Sequence, residues 1–119
     1  MGSRRQLQVG ELIKRNFSSV LMEEGGYIYG HEIMVSVTHV NMTSDLGLAK
    51  IYLSVYNTEN KQAVVLLLED SITRLKQSLA KKIRKHVRRI PSINVYLDET
   101  LDEMQRINQI FVDIKKDKN

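Results

Sequence analysis

The feature that most restricts the fold is a change of hydrophobic period at the only proline of the chain, Pro91. Ahead of it, Val64, Val65, Leu68, Ile72, Leu75, Leu79, Ile83 and Val87 recur at helical spacing, which gathers them into one buried face. Behind it, Ile93, Val95 and Leu97 alternate as in a half-buried strand. Proline disfavours helical backbone at the residue before it, Ile90, so the helix is expected to end at Pro91 and a strand to start there. A chain that buries a helical stripe and a strand face together needs a sheet with helices packed on it.

The stripe over residues 64–87 is long for one uninterrupted globular helix. Ser71, Ile72 and Thr73 are weak helix formers in its middle, and the Ser71 and Thr73 hydroxyls compete for backbone bonds, so a kink is expected there. Upstream, Val9, Leu12, Ile13, Phe17, Val20 and Leu21 mark a first amphipathic helix over residues 6–23. Gly25, Gly26 and Gly30 are expected to break it, leaving GGYIYG as a flexible connector with two surface tyrosines. Two strands follow, with Ile33, Val35 and Val37 inward in one and Ala49, Ile51, Leu53 and Val55 inward in the other. The turn-forming NMTSDLGL between them is too short for a parallel crossover, so the pair is antiparallel. After the third strand, Leu101, Met104, Ile107, Phe111 and Ile114 predict a C-terminal helix. Asp98, Glu99, Asp102 and Glu103 lie near its positive end, and the tail KKDKN closes the chain. The expected architecture is a single α+β domain over residues 4–114 with a three-stranded sheet, followed by a charged tail at 115–119.

A length of 119 residues suits one domain. The chain has no cysteine, which excludes disulfides and thiolate metal sites and favours a reducing, cytoplasmic setting. No apolar run approaches the ~18–20 residues of a membrane span, and the N-terminal residues lack the apolar core of a secretory signal.

Charge is more informative. The formal net charge is +4, yet residues 74–89 alone carry eight Lys or Arg and no acid, so the rest of the chain stands at −4. With Leu75, Leu79, Ile83 and Val87 turned to the core, Arg74, Lys76, Lys81, Lys82, Arg84, Lys85, Arg88 and Arg89 spread over the remaining circumference. Like charges four apart, such as Lys81 with Lys85, repel by a few tenths of a kcal/mol per pair. A polyanion would offset that repulsion, so these eight residues are the candidate nucleic-acid face. Three other readings stand beside it: a solvated surface partly paired with acids elsewhere, a module docking an acidic protein, and a membrane-surface helix. The last fits less well, because the apolar side lacks Trp and Phe and is needed for the core.

Catalysis finds little support. His31, His39 and His86 lack the close spacing of a metal site, and no phosphate-cradling glycine motif is present. The acids at 98–103 read as helix N-terminal stabilisers. No enzyme activity, cofactor or metal is expected.

The successions MVSVTHVNMTSDLGLAKIYLSVY and LAKKIRKHVRRIPSINVYLDETLDEMQRI resemble the ribosome-binding factor A family of bacterial small-subunit assembly factors, over residues 4–111. The resemblance is carried most specifically by Ser44-Asp45-Leu46, by Ala49-Lys50-Ile51-Tyr52, by the helix running to Pro91, by Asp98 and by Ile107. It implies a type II KH-like fold in which an Ala-x-Gly helix kink stands where ordinary KH domains have GxxG. The corresponding stretch here is Ser71-Ile72-Thr73. The family often has Asp-Pro-Arg before the first strand, where this chain has GGYIYG. The resemblance further implies a monomeric factor that binds the free or immature 30S subunit and its 16S rRNA. It would help the rRNA ends mature and matter most for growth in the cold.

Overall fold

The computed structural model describes residues 3–99. The first helix, α1 (Arg4–Tyr29), begins at Ser3 in a reciprocal cap. The Gln6 amide donates to the Ser3 hydroxyl at 3.2 Å, and the Ser3 amide donates to the Gln6 side chain at 2.6 Å. Val9, Ile13, Phe17, Val20 and Leu21 are its buried stripe. Contrary to the expectation from sequence, Gly25 and Gly26 do not break it. A glycine costs a helix about 1 kcal/mol relative to alanine, which is why the pair reads as a stop. Here both sites are packed under rings: a Cβ on Gly25 would collide with the Tyr29 ring, and one on Gly26 with the His31 ring. The stop is Gly30, at φ 98°, whose amide donates to the Gly26 carbonyl at 3.0 Å. The GGYIYG segment is thus the last turn of a helix, with Tyr27 exposed and Tyr29 half-buried. Burial pushes the Tyr29 phenol above its ordinary pKa.

Strands β1 (Met34–Met42) and β2 (Leu48–Tyr56) pair antiparallel, as the short turn between them requires. A bulge between Val37 and His39 leaves Thr38 without a cross-strand partner. Strand β3 (Ser92–Leu97) runs parallel to β2, from Leu48 opposite Ser92 to Leu53 opposite Leu97, and the sheet order is β1-β2-β3. Helices α2 (Lys61–Asp70) and α3 (Ile72–Ile83) supply the crossover that a parallel pair demands. They meet at Ser71, whose φ of −101° and ψ of 12° end one helix and start the next.

One face of the sheet, with Val37, Ala49, Ile51, Leu53, Val55, Ile93 and Val95, packs under α1, α2 and α3. Val64, Val65 and Leu68 of α2 and Leu75, Leu79 and Ile83 of α3 complete this core. Gly10 lets α1 approach β1: a Cβ there would stand 3.3 Å from the Val40 carbonyl oxygen. The element order, helix, strand, strand, broken helix, strand, is that of the type II KH-like fold. The predicted C-terminal helix and the 115–119 tail lie outside the described residues.

The end of the basic helix differs from expectation. α3 stops at Ile83, well short of Pro91, and residues 84–86 form a turn in which the His86 amide donates to the Ile83 carbonyl at 2.8 Å. Continuing the helix would stack Lys81 on Lys85 and Arg84 on Arg88, with no acid between them. Pro91, which is buried, instead fixes the entry to β3.

Candidate nucleic-acid interface

Leu75, Leu79 and Ile83 are fully buried, so the side of α3 that remains is the one carrying charge. Arg74, Lys76, Lys81 and Lys82 stand on the helix, Arg84 and Lys85 in the turn after it, and Arg88 and Arg89 in the bend before Pro91. Two of the eight are engaged with α1. Arg74 Nε donates to Glu24 Oε1 at 3.0 Å, and Lys82 Nζ to Glu23 Oε1 at 2.9 Å. These pairs clamp α3 to the last third of α1, each worth about 0–1 kcal/mol at such exposure. The other six, Lys76, Lys81, Arg84, Lys85, Arg88 and Arg89, have no ion pair among the described residues.

Arg88 and Arg89 do not point into an empty flank. The Ser92 amide donates to the Gly47 carbonyl at 2.9 Å, which draws the segment before β3 against the turn between β1 and β2. That turn is tightly bonded. Asp45 Oδ1 accepts from the Thr43 hydroxyl at 2.7 Å and from the Gly47 amide at 3.0 Å, and the Thr43 hydroxyl oxygen accepts from the Leu48 amide at 3.1 Å. Leu46 takes φ 61°, an uncommon backbone for leucine. Arg5 and Val9 of α1, Asp45 and Leu46 of the turn, and Val87, Arg88 and Arg89 together line a cavity of about 500 Å³. Sequence reasoning placed Arg88 and Arg89 in the site but missed Arg5 and the turn that complete the cavity.

The Thr43 hydroxyl, the Gly47 amide and the Arg89 charge hold the Asp45 carboxyl below its ordinary pKa of 3.8. A lowered folded-state value means that the carboxylate favours the fold. That contribution is complete above the ordinary value and disappears as the pH falls through the lower folded one. Asp45→Asn keeps an oxygen for Thr43 and Gly47 but removes the charge. It is expected to melt below the wild-type protein at pH 7, with the two melting temperatures converging in acid, as followed by circular dichroism.

The second feature the sequence did not reveal lies on the sheet face away from the core. The rings of His39 and Tyr52 stack at 4.3 Å and 12°, and those of Tyr52 and Tyr96 at 5.4 Å and 28°. The bulge makes this row, since it frees Thr38 to donate to Asp98 Oδ2 at 2.6 Å and sets His39 opposite Tyr52. His39 Nδ1 lies 3.6 Å from the same carboxylate oxygen. His31 packs edge-on against Tyr27 at 5.5 Å, and His86 is exposed in the basic turn. Among the described residues no three His, Cys, Asp or Glu could hold a metal ion, and no helix is long and apolar enough to cross a membrane.

Lys76, Lys81, Arg84, Lys85, Arg88 and Arg89, without an ion pair among the described residues, thus stand together beside a braced turn. Residues 5–111 match the family model described as Ribosome-binding factor A. A ribosome-binding factor A of Cytophaga hutchinsonii is 33% identical, with 100% of this chain and 92% of that protein covered. One from Chlorobium limicola is 36% identical over 83% of this chain and 88% of that protein. In structure, the crystal structure of ribosome-binding factor A from Thermus thermophilus aligns with a TM-score of 0.60 at 19% identity, covering 77% of this chain and 94% of that one. A homology model of the Thermus thermophilus factor, fitted into a cryo-EM map of its complex with the 30S subunit, aligns at 0.55 and 20% identity over 73% and 92%. With the family pattern running through the turn, the broken helix and the third strand alike, the chain belongs to the ribosome-binding factor A family.

Proposed function

We propose that this protein is a non-enzymatic assembly factor of the small ribosomal subunit. It acts as a monomer in the cytoplasm, binds the free or immature 30S particle through its 16S rRNA, and assists maturation of the rRNA ends, with most effect in the cold. One observation carries the reading: six cationic side chains with no ion pair among the described residues are gathered at α3 and the bend after it, in a chain of this family. A complex with the 30S subunit is on record for the Thermus thermophilus homologue, which supports the same partner here. Lys76, Lys81, Arg84, Lys85, Arg88 and Arg89 supply phosphate contacts, while Arg74 and Lys82 hold α3 in place. Recognition then works by charge and shape, favouring one rRNA conformation over another.

The test is sedimentation of a cell extract from the native host. The protein should run with free small subunits and leave them as salt rises. With about five phosphates neutralised, log K should fall against log salt with a slope of roughly −3 to −5. Appearance chiefly on translating ribosomes, or a slope near zero, would overturn the proposal.

A further inference from the structure

The cavity between α1, the 43–48 turn and the bend before Pro91 has a chemistry that simple phosphate gripping does not require. Its volume of about 500 Å³ falls within the roughly 300–1,000 Å³ of sites that enclose a small ligand. Val9, Leu46 and Val87 give it apolar walls, which nothing in a backbone phosphate would use. Arg5, Arg88 and Arg89 give it three guanidinium groups, able to grip phosphate by paired hydrogen bonds and to lie flat on a base. Among the described residues Asp45 is the only acid in the lining. Its Oδ1 is taken by Thr43 and Gly47, while no other side chain among the described residues donates a hydrogen bond to its Oδ2. The cavity therefore combines an apolar slot, an excess of positive charge and one fixed acceptor.

We propose that this cavity receives a single unpaired nucleotide of the bound RNA. The base lies between Val9, Leu46 and Val87, the phosphate meets the arginines, and an exocyclic amine donates to Asp45. Adenine, cytosine and guanine carry such an amine and uracil does not, so the pocket selects against uridine. The arrangement is ready before binding, because the turn is braced by its own hydrogen bonds and pinned to β3 by the bond between Ser92 and Gly47. The proposal rests on the RNA-binding reading above and adds the one position at which a base, and not only the backbone, is contacted.

The test is an NMR titration of the full chain with 5′-ribonucleoside monophosphates, following the methyl groups of Val9, Leu46 and Val87 and the Gly47 amide. AMP, CMP and GMP should produce saturable shifts there, with UMP weaker by roughly three- to tenfold, the worth of one net hydrogen bond. Val87→Trp, which fills the slot, should abolish the methyl shifts and keep the fold and most of the salt-dependent affinity for small subunits. Four outcomes overturn the proposal. These are methyl groups unmoved at millimolar nucleotide, shifts reproduced by inorganic phosphate alone, UMP equal to the others, or nuclear Overhauser contacts from residues after Glu99 that keep the slot filled. Small-subunit binding measured on the same samples separates the two levels. If it persists, only the pocket fails, and if it is absent, the RNA-binding reading fails with it.

Discussion

Replacing Lys81, Arg84 and Lys85 together by glutamine is expected to weaken binding to free small subunits about a hundredfold at physiological salt. The same change should reduce the salt slope by about two to three units, since each lost phosphate contact removes a little under one. Arg74→Gln with Lys82→Gln removes nearly as much formal charge, yet should change the slope by less than one unit. The difference is structural. Arg74 and Lys82 already neutralise Glu24 and Glu23, so their charge is largely spent inside the protein, whereas the other three have no such partner among the described residues. Breaking the two pairs should show instead as a loss of stability of at most about 1 kcal/mol each in urea titrations. Equal slopes for the two variants would mean that the clamp between α1 and α3 does not persist in solution.

That contrast is also where the sequence stopped being legible. The strand after Pro91, the antiparallel pair and the helix break at Ser71 are local properties and appear in the fold where local physics puts them, whereas the basic helix ends at Ile83 and not at Pro91. The pairing of Glu23 with Lys82 and of Glu24 with Arg74 spans 59 and 50 residues and depends on how two helices cross, which no spacing encodes. The 74–89 run reads as eight equivalent charges for that reason. The aromatic row was hidden by a different cause. Strict alternation from Val35 and Val37 sends His39 into the core, but the extra residue at Thr38 inverts the parity, so Val40 packs toward the core and His39 meets Tyr52. The cavity was hidden because Arg5, Asp45 and Arg88 meet only after β3 has docked beside β2. Sites built from one element showed in the sequence, and sites built from three did not.

The opposite side of the same helix gives the second large effect. Leu79 lies between Lys76 and Lys82 on α3 and has no exposed surface. Leu79→Ala should cost about 2–5 kcal/mol, the lost transfer free energy plus the cavity left behind. A domain of this size is held by only about 5–15 kcal/mol in total. The urea midpoint should therefore fall by a large fraction, with the slope of the transition unchanged. RNA affinity tells whether core and face are separable. If α3 merely presents its charges, the variant that remains folded binds with the wild-type salt slope, and the apparent affinity falls only by the unfolded fraction. Since Leu79 touches no phosphate, a reduced slope in fully folded Leu79→Ala protein would mean that the core packing sets where Lys76, Lys81 and Arg84 point. The basic face would then be a pre-shaped surface, placed by the buried leucines to fit one path of the rRNA backbone.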